Sequence, residues 1–111
     1  MPTAYKILGQ LAPANTSNAD LYTVPASTQT VISTISVTND TANSATFRIY
    51  IRNNGATAAA VNALYFDTPL AGNSTMLITA GLTIDATDVV TVQTGTADAL
   101  TFQAFGSEVT P

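Results

Sequence analysis

The sequence contains no cysteine, no histidine and no tryptophan. Without cysteine the chain forms no disulfide and offers no thiolate to a metal ion or to a redox reaction. Without histidine it lacks the usual general base near neutral pH and the commonest metal ligand. We therefore expect a protein that is not an enzyme and that binds no cofactor and no metal.

Charged residues are also scarce, at 9% of the chain against about 25% in typical soluble domains. The only basic residues are Lys6, Arg48 and Arg52, too few for the clustered positive charge that nucleic-acid binding needs. The hydrophobic fraction is 46% and the net charge is −4, unlike the composition of disordered chains. A folded chain so poor in charge favours a surface that neighbouring molecules cover.

Long apolar runs are missing as well. No segment approaches the roughly 20 apolar residues of a membrane helix. Residues 1–10 lack the basic head and apolar stretch of a signal peptide. The expectation is a protein that contacts no membrane and reaches its site without secretion.

The residues that are abundant favour strands, since Thr, Val, Ile, Tyr and Phe recur between Gly, Pro, Asn and Asp. Short strands at intervals of about ten residues predict a sandwich or a barrel. We predict a single all-β domain, an antiparallel β-sandwich that is jelly-roll-like. It is divided into an N-terminal arm and loop, residues 1–20, and a sandwich domain, residues 21–111. The predicted strands are Tyr5–Gln10, Leu21–Val24, Gln29–Asn39, Ala45–Arg52, Asn62–Thr68, Thr75–Leu82, Val89–Thr94 and Ala99–Val109.

Period-two alternation predicts which strand faces form the core. Burying each large apolar side chain stabilises the fold by about 1.5–3 kcal/mol, so stripes of such side chains can supply one core between two sheets. The clearest predicted stripes are Phe47, Ile49 and Ile51 in one strand and Val31, Ile35 and Val37 in another.

Arg48 and Arg52 flank Tyr50 on the opposite face of their strand. They could bind a carboxylate, a sugar or a neighbour's acidic side chain, or form a solvated face that discourages edge pairing. Other large side chains do not fit the core stripes; singly they would be ordinary surface residues, but together they indicate an interface. The candidate interface residues are Tyr5, Leu8, Tyr22, Arg48, Tyr50, Arg52, Tyr65 and Phe105.

The acidic residues are spread along the chain, and Asp85 and Asp88 are the closest pair. They could act as acid and base or bind calcium. Alternatively, they form a turn in which the carboxylates cap backbone N–H groups. Calcium needs more oxygen ligands than this segment supplies, so we predict the turn.

Several segments resemble a group of small bacteriophage virion proteins, including many from cyanophages. The similarity begins with Ala4-Tyr-Lys-Ile-Leu-Gly-Gln10 and Leu21-Tyr-Thr-Val-Pro25 and spans nearly the whole chain. It rests on strand and turn residues rather than on residues with reactive chemistry. The later similar segments are Ala45-Thr-Phe-Arg-Ile49, Asn53 to Gly55, Gly81-Leu82, Asp88-Val-Val-Thr-Val92, Phe102 and Phe105-Gly106.

The resemblance implies a structural protein of the virion, of the capsid decoration or cement type, that binds between subunits of the major capsid protein. By analogy with small β-sandwich cement proteins, we expect a homotrimer on the capsid surface, made in the host cytoplasm. Residues 1–20 would reach across a neighbour. The alternative is a tail-associated or host-adhesion module that binds glycans through Tyr50, Tyr65 and the Asn53–Val61 loop.

Overall fold

The computed structural model describes residues 2–79 and 81–111 and shows nine strands in two antiparallel sheets. This confirms the predicted all-β sandwich. Two short 3-10 turns, Asn53–Gly55 and Ala60–Asn62, join the fourth and fifth strands. The strands are β1 Thr3–Leu11, β2 Ala19–Thr23, β3 Gln29–Asn39, β4 Ala45–Arg52, β5 Ala63–Leu70, β6 Ser74–Ile78, β7 Leu82–Ile84, β8 Val89–Thr94 and β9 Leu100–Val109.

The strand order is that of a jelly roll. Sheet A runs β1-β9-β3-β6, and β7 also pairs with β3; sheet B runs β2-β8-β4-β5. Strand β6 pairs with residues 35–39 of β3, and β7 pairs with residues 30–32, so the two act as one interrupted strand. Counted in this way, eight antiparallel strands form the two-sheet arrangement of jelly rolls, as predicted.

One predicted strand, Thr75–Leu82, is two strands in the structure. Strand β6 ends at Ile78 and β7 begins at Leu82. Residue 80, between them, lies outside the described residues. Gly81 has φ of 58°, a left-handed conformation that glycine adopts at little cost. The predicted strand is therefore interrupted before Leu82, although both parts run in the same direction along β3.

A β-bulge in β3 corrects the predicted stripe of Val31, Ile35 and Val37. The register shifts between Ile32 and Thr34, which reverses the side-chain alternation on either side of the bulge. Val31 is consequently 39% exposed, whereas Ile32 is 1% exposed. The prediction for Ile35 and Val37 is confirmed, because both are buried.

The core lies between the inner faces of the two sheets. Phe47 of sheet B and Phe102 of sheet A are both almost fully buried, and their rings meet edge to face with centroids 6.3 Å apart. Edge-to-face packing suits the charge distribution of aromatic rings. The other fully buried large apolar side chains are Ile32, Ile35, Ile49, Leu100, Val24, Val37, Val90 and Val92.

The segment that the sequence assigned to an arm supplies the first strand of the sandwich. Strand β1 pairs with β9 from Thr3 opposite Val109 to Leu11 opposite Phe102. Gly9 permits this placement, since a Cβ there would overlap the carbonyl oxygen of Leu21 in sheet B. The backbones of β1 and β2 thus approach closely where the two sheets meet.

Candidate interaction surfaces

The outer face of sheet A carries exposed apolar side chains. Tyr5 is 86% exposed, Ile7 54% and Val31 39%. The register places Tyr5 and Val31 in one row on either side of Ser107, because both lie opposite that residue, while Ile7 lies opposite Phe105. Leu77, on the same face, is 68% exposed.

The rest of this face is polar but uncharged. Gln10 donates to Gln103 at 2.8 Å, and the hydroxyls of Thr38 and Thr75 lie 3.1 Å apart. These side chains satisfy one another, which lowers the cost of removing them from water. None of the described residues that the register turns outward from sheet A is charged. The other outward residues are Thr3, Gln29, Thr34, Ser36, Thr83, Thr101, Ser107 and Val109.

Strand β1 is an edge of sheet A and extends this surface sideways. An edge strand offers backbone N–H and C=O groups to a partner strand. Leu8 forms a bulge between Ile7 and Gly9, and its half-buried side chain packs against the core. The predicted interface residue Leu8 is therefore part of the packing of its own chain.

Arg48 lies on the outer face of sheet B, opposite a bulge in β5. Between the pairs Phe47–Thr68 and Ile49–Tyr65, the bulge sets two residues, Phe66 and Asp67, opposite the single Arg48. The Arg48 guanidinium donates to both carboxylate oxygens of Asp67, at 2.7 and 3.1 Å, and lies 3.9 Å from the Phe66 ring centroid. This pair raises the pKa of Arg48 and lowers that of Asp67.

Arg52 holds the loop after β4 against sheet B. Its Nε donates to the Ala56 carbonyl at 2.6 Å, and its Nη2 donates to the Gly55 carbonyl at 3.0 Å. Its Nη1 also donates to Asp20 at 3.2 Å. Both strand arginines thus have carboxylate partners within the chain, and Tyr50 between them is only 4% exposed.

Tyr22 belongs to a polar network at one end of the core. It is 8% exposed, its hydroxyl lies 2.8 Å from Thr30 Oγ1, and it donates to Glu108. Glu108 also accepts from Lys6 at 2.8 Å. Burial is the main cause that raises the pKa of Tyr22 to about 12, and the hydrogen bond to Glu108 is the second. The hydrogen bond from Lys6 is the main cause that lowers the pKa of Glu108, and the one from Tyr22 is the second.

The structure therefore separates the eight predicted interface residues. Tyr5 and Phe105 lie on the uncharged face of sheet A, and the Arg48, Tyr50 and Arg52 set lies on the opposite side of the sandwich. Tyr22, Leu8 and Tyr65 pack with the core, the last with its ring 5.8 Å from Phe47. Tyr50 and Tyr65 accordingly present little ring surface to a glycan.

Sequence reasoning missed Ile7 and Val31 as surface residues. Ile7 was detectable, since it alternates in phase with Tyr5 in the same strand. The exposure of Val31 depends on the bulge in β3, for which the local sequence gives no clear signal.

Asp85 and Asp88 form the predicted turn. Asp88 Oδ1 accepts from the Asn54 N–H at 2.7 Å, and Oδ2 accepts from the Asp85 N–H at 2.9 Å. Within residues 2–79 and 81–111, no three potential metal-ligating side chains come together. The same residues contain no helix of the length and hydropathy needed to cross a bilayer.

The fold and these surfaces define an all-β jelly-roll domain whose distinguishing feature is an uncharged sheet face. No protein-family model matches the sequence, and no curated protein matches it. Solved structures titled "Structure of infectious bursal disease virus", of the Gx and Gt strains, align with 96% of this chain at 15% and 13% identity and TM-scores of 0.49 and 0.45. The chain spans 31% of the length of those chains. At these values no functional property is transferred from them.

Proposed function

We propose that this chain is a structural protein of a bacteriophage particle, a capsid cement protein that binds between subunits of the major capsid protein. The observation that carries the proposal is the uncharged outer face of sheet A, with Tyr5, Ile7 and Val31 exposed on it. Covering exposed apolar area is favourable, and several exposed apolar side chains on one face indicate an interaction site. The resemblance of residues 4–10 and 21–25 to phage virion proteins supports the same role.

The proposed role needs no catalysis. Lys6, Arg48 and Arg52, the only basic residues of the chain, each pair with a carboxylate of the same chain. Basic side chains engaged in this way leave little positive charge for nucleic acid or for an anionic substrate. The proposal is therefore a non-enzymatic protein that acts through the surface it covers.

The size of the face sets how tightly one copy can bind. Ten residues of β9 at about 3.3 Å each and four strands spaced at about 4.8 Å give a face of roughly 600 Å². Stable interfaces bury about 800 Å² on each partner. One copy should therefore attach weakly, and several linked copies should attach tightly through avidity.

A homotrimer on the capsid surface supplies that avidity. A ring of three requires two different surfaces on each copy, one meeting the other on the next copy. The free edge of β1 is one such surface, because it offers unpaired backbone groups to the next copy. In this arrangement β1 contacts the neighbouring copy while the rest of the face covers the shell.

The test is co-sedimentation of the purified protein with capsids prepared without it. We expect the wild type to bind and the double variant Tyr5→Ser/Ile7→Ser to bind about tenfold more weakly, a loss of about 1.4 kcal/mol. Val61→Ser is the matched control, because Val61 is 92% exposed and lies outside sheet A. A wild type that does not bind, or equal binding by all three proteins, would contradict the proposal.

The alternative, a tail-associated or host-adhesion module, is supported by a polar pocket beside Arg48 on the other sheet. Immunogold labelling of intact particles distinguishes the two roles. Label over the shell supports the cement protein, whereas label confined to the tail supports the adhesion module.

A further inference from the structure

A small pocket lies on sheet B, where β4, β5 and β8 meet the loop that precedes β2. Its volume is about 210 Å³, below the roughly 300–1,000 Å³ of pockets that hold drug-sized ligands. It has room for one small ring. The side chains that give it its chemistry belong to Thr16, Thr46, Arg48, Asp67, Gln93 and Thr94.

The charge of the pocket is balanced. Arg48 and Asp67 are the only charged residues of its lining, and they are paired at 2.7 Å. A ligand carboxylate or phosphate would meet Asp67, and a ligand ammonium group would meet Arg48. The balance favours a neutral, polar ligand.

Gln93 supplies an unmet hydrogen-bond acceptor. Its Nε2 donates to the Thr16 carbonyl at 2.7 Å, while its buried Oε1 accepts no hydrogen bond from the described residues. A buried acceptor without a donor is unfavourable. Gln93 lines the pocket and the terminal amide torsion of glutamine is soft, so its amide can turn to accept from a hydroxyl group there.

Two neighbouring groups extend the same chemistry. The Asp67 side chain is 52% exposed, so its oxygens can accept further hydrogen bonds besides those from Arg48. The Phe66 ring, 52% exposed, stacks against the Arg48 guanidinium, although it is not part of the pocket lining. The region thus combines acceptors for hydroxyl groups with an apolar flank.

We propose that this pocket binds one neutral sugar unit of a glycan. The sugar hydroxyls would donate to Gln93 Oε1 and to Asp67, two of the residues that line the pocket. This site is on the opposite side of the sandwich from Tyr5 and Ile7. The sugar-binding proposal can therefore be tested independently of the proposed cement role.

The test is an NMR titration of the ¹⁵N-labelled full chain with neutral methyl glycosides of glucose, galactose, mannose and N-acetylglucosamine. We expect at least one glycoside to give saturable shifts at the amides of Thr46, Gln93 and Gly95, with a Kd on the order of 1 mM. Sodium acetate and ammonium chloride serve as charged probes. No saturable shift with any glycoside, or shifts only with a charged probe, would overturn the proposal.

Variants locate the binding. Gln93→Met keeps the side-chain length and removes the acceptor, so we expect about tenfold weaker binding. The matched control is Gln103→Met, an outward strand glutamine on sheet A, which should leave the Kd unchanged. Asp67→Asn provides a second weakened variant on an exposed residue if Gln93→Met does not fold. Wild-type affinity in the folded variants would refute the site.

Discussion

The hydroxyl of Tyr22 offers a single-atom test of how the polar end of the core is held. Tyr22→Phe keeps the ring and removes an oxygen that contacts Thr30 at 2.8 Å and donates to Glu108. A buried polar group that loses its partner costs about 1–3 kcal/mol. We expect the variant to lose that much free energy of unfolding at neutral pH.

The pH dependence makes the prediction sharper. The pKa of Tyr22 is raised from 10.0 to about 12 in the folded chain, so the phenol stabilises the fold fully below pH 10. That stabilisation is lost as the pH rises from 10 to 12. The difference between these pKa values corresponds to roughly 2.7 kcal/mol. The wild type should therefore lose about that much more stability than Tyr22→Phe over this range.

The acid side has the opposite sign. Lys6 and Tyr22 lower the pKa of Glu108 from its ordinary 4.5. Its contribution to stability is therefore present above pH 4.5 and is lost as the pH falls through the lower, folded value. Because Tyr22→Phe removes one of the two causes, its stability should fall less between neutral and acid pH than that of the wild type.

The assay is urea unfolding followed by far-ultraviolet circular dichroism at intervals from pH 3 to pH 12. Tyr5→Phe is the matched control, since Tyr5 is 86% exposed and its change should leave the curve unaltered. If the stability curves of the wild type and Tyr22→Phe run parallel from pH 8 to pH 12, the assigned network is wrong.

Two further substitutions test the packing. Asn39 is fully buried, and its Nδ2 donates to the Asn43 and Leu70 carbonyls at 2.8 and 3.1 Å. Asn39→Ala should lower the free energy of unfolding, measured with urea, by about 2–4 kcal/mol. A loss below about 1 kcal/mol would show that these hydrogen bonds contribute little. Gly9→Ala would push a Cβ into the Leu21 carbonyl oxygen and should destabilise the fold by about 1–3 kcal/mol. Scanning calorimetry should show this as a lower Tm. An unchanged Tm would refute the close approach of β1 and β2.

Local sequence patterns were sufficient to locate several strands. The predicted bounds of Gln29–Asn39, Ala45–Arg52 and Val89–Thr94 are those of β3, β4 and β8. In these segments a run of β-branched and aromatic residues is followed by Asn, Asp or Gly, so strand propensity and turn propensity indicate the same strand ends. The sandwich architecture follows from the same regular spacing.

The surfaces were harder to predict because they depend on register and strand order. Tyr5 and Tyr22 occur in similar strand contexts, yet the first is exposed and the second buried, and a bulge lies between Asp20 and Tyr22. Likewise Arg48 meets Asp67 only because β5 pairs with β4. A bulge shifts the inward and outward alternation of side chains by one residue, and the neighbouring sequence does not indicate where the bulge occurs.

The uncharged outer face of sheet A has a consequence for how any contact across it responds to its surroundings. A contact without ion pairs contains no Coulomb attraction for dissolved salt to screen. Its strength comes from covered apolar area, which sulfate reinforces and cooling weakens. Cooling, rather than added salt, would therefore weaken binding at this face.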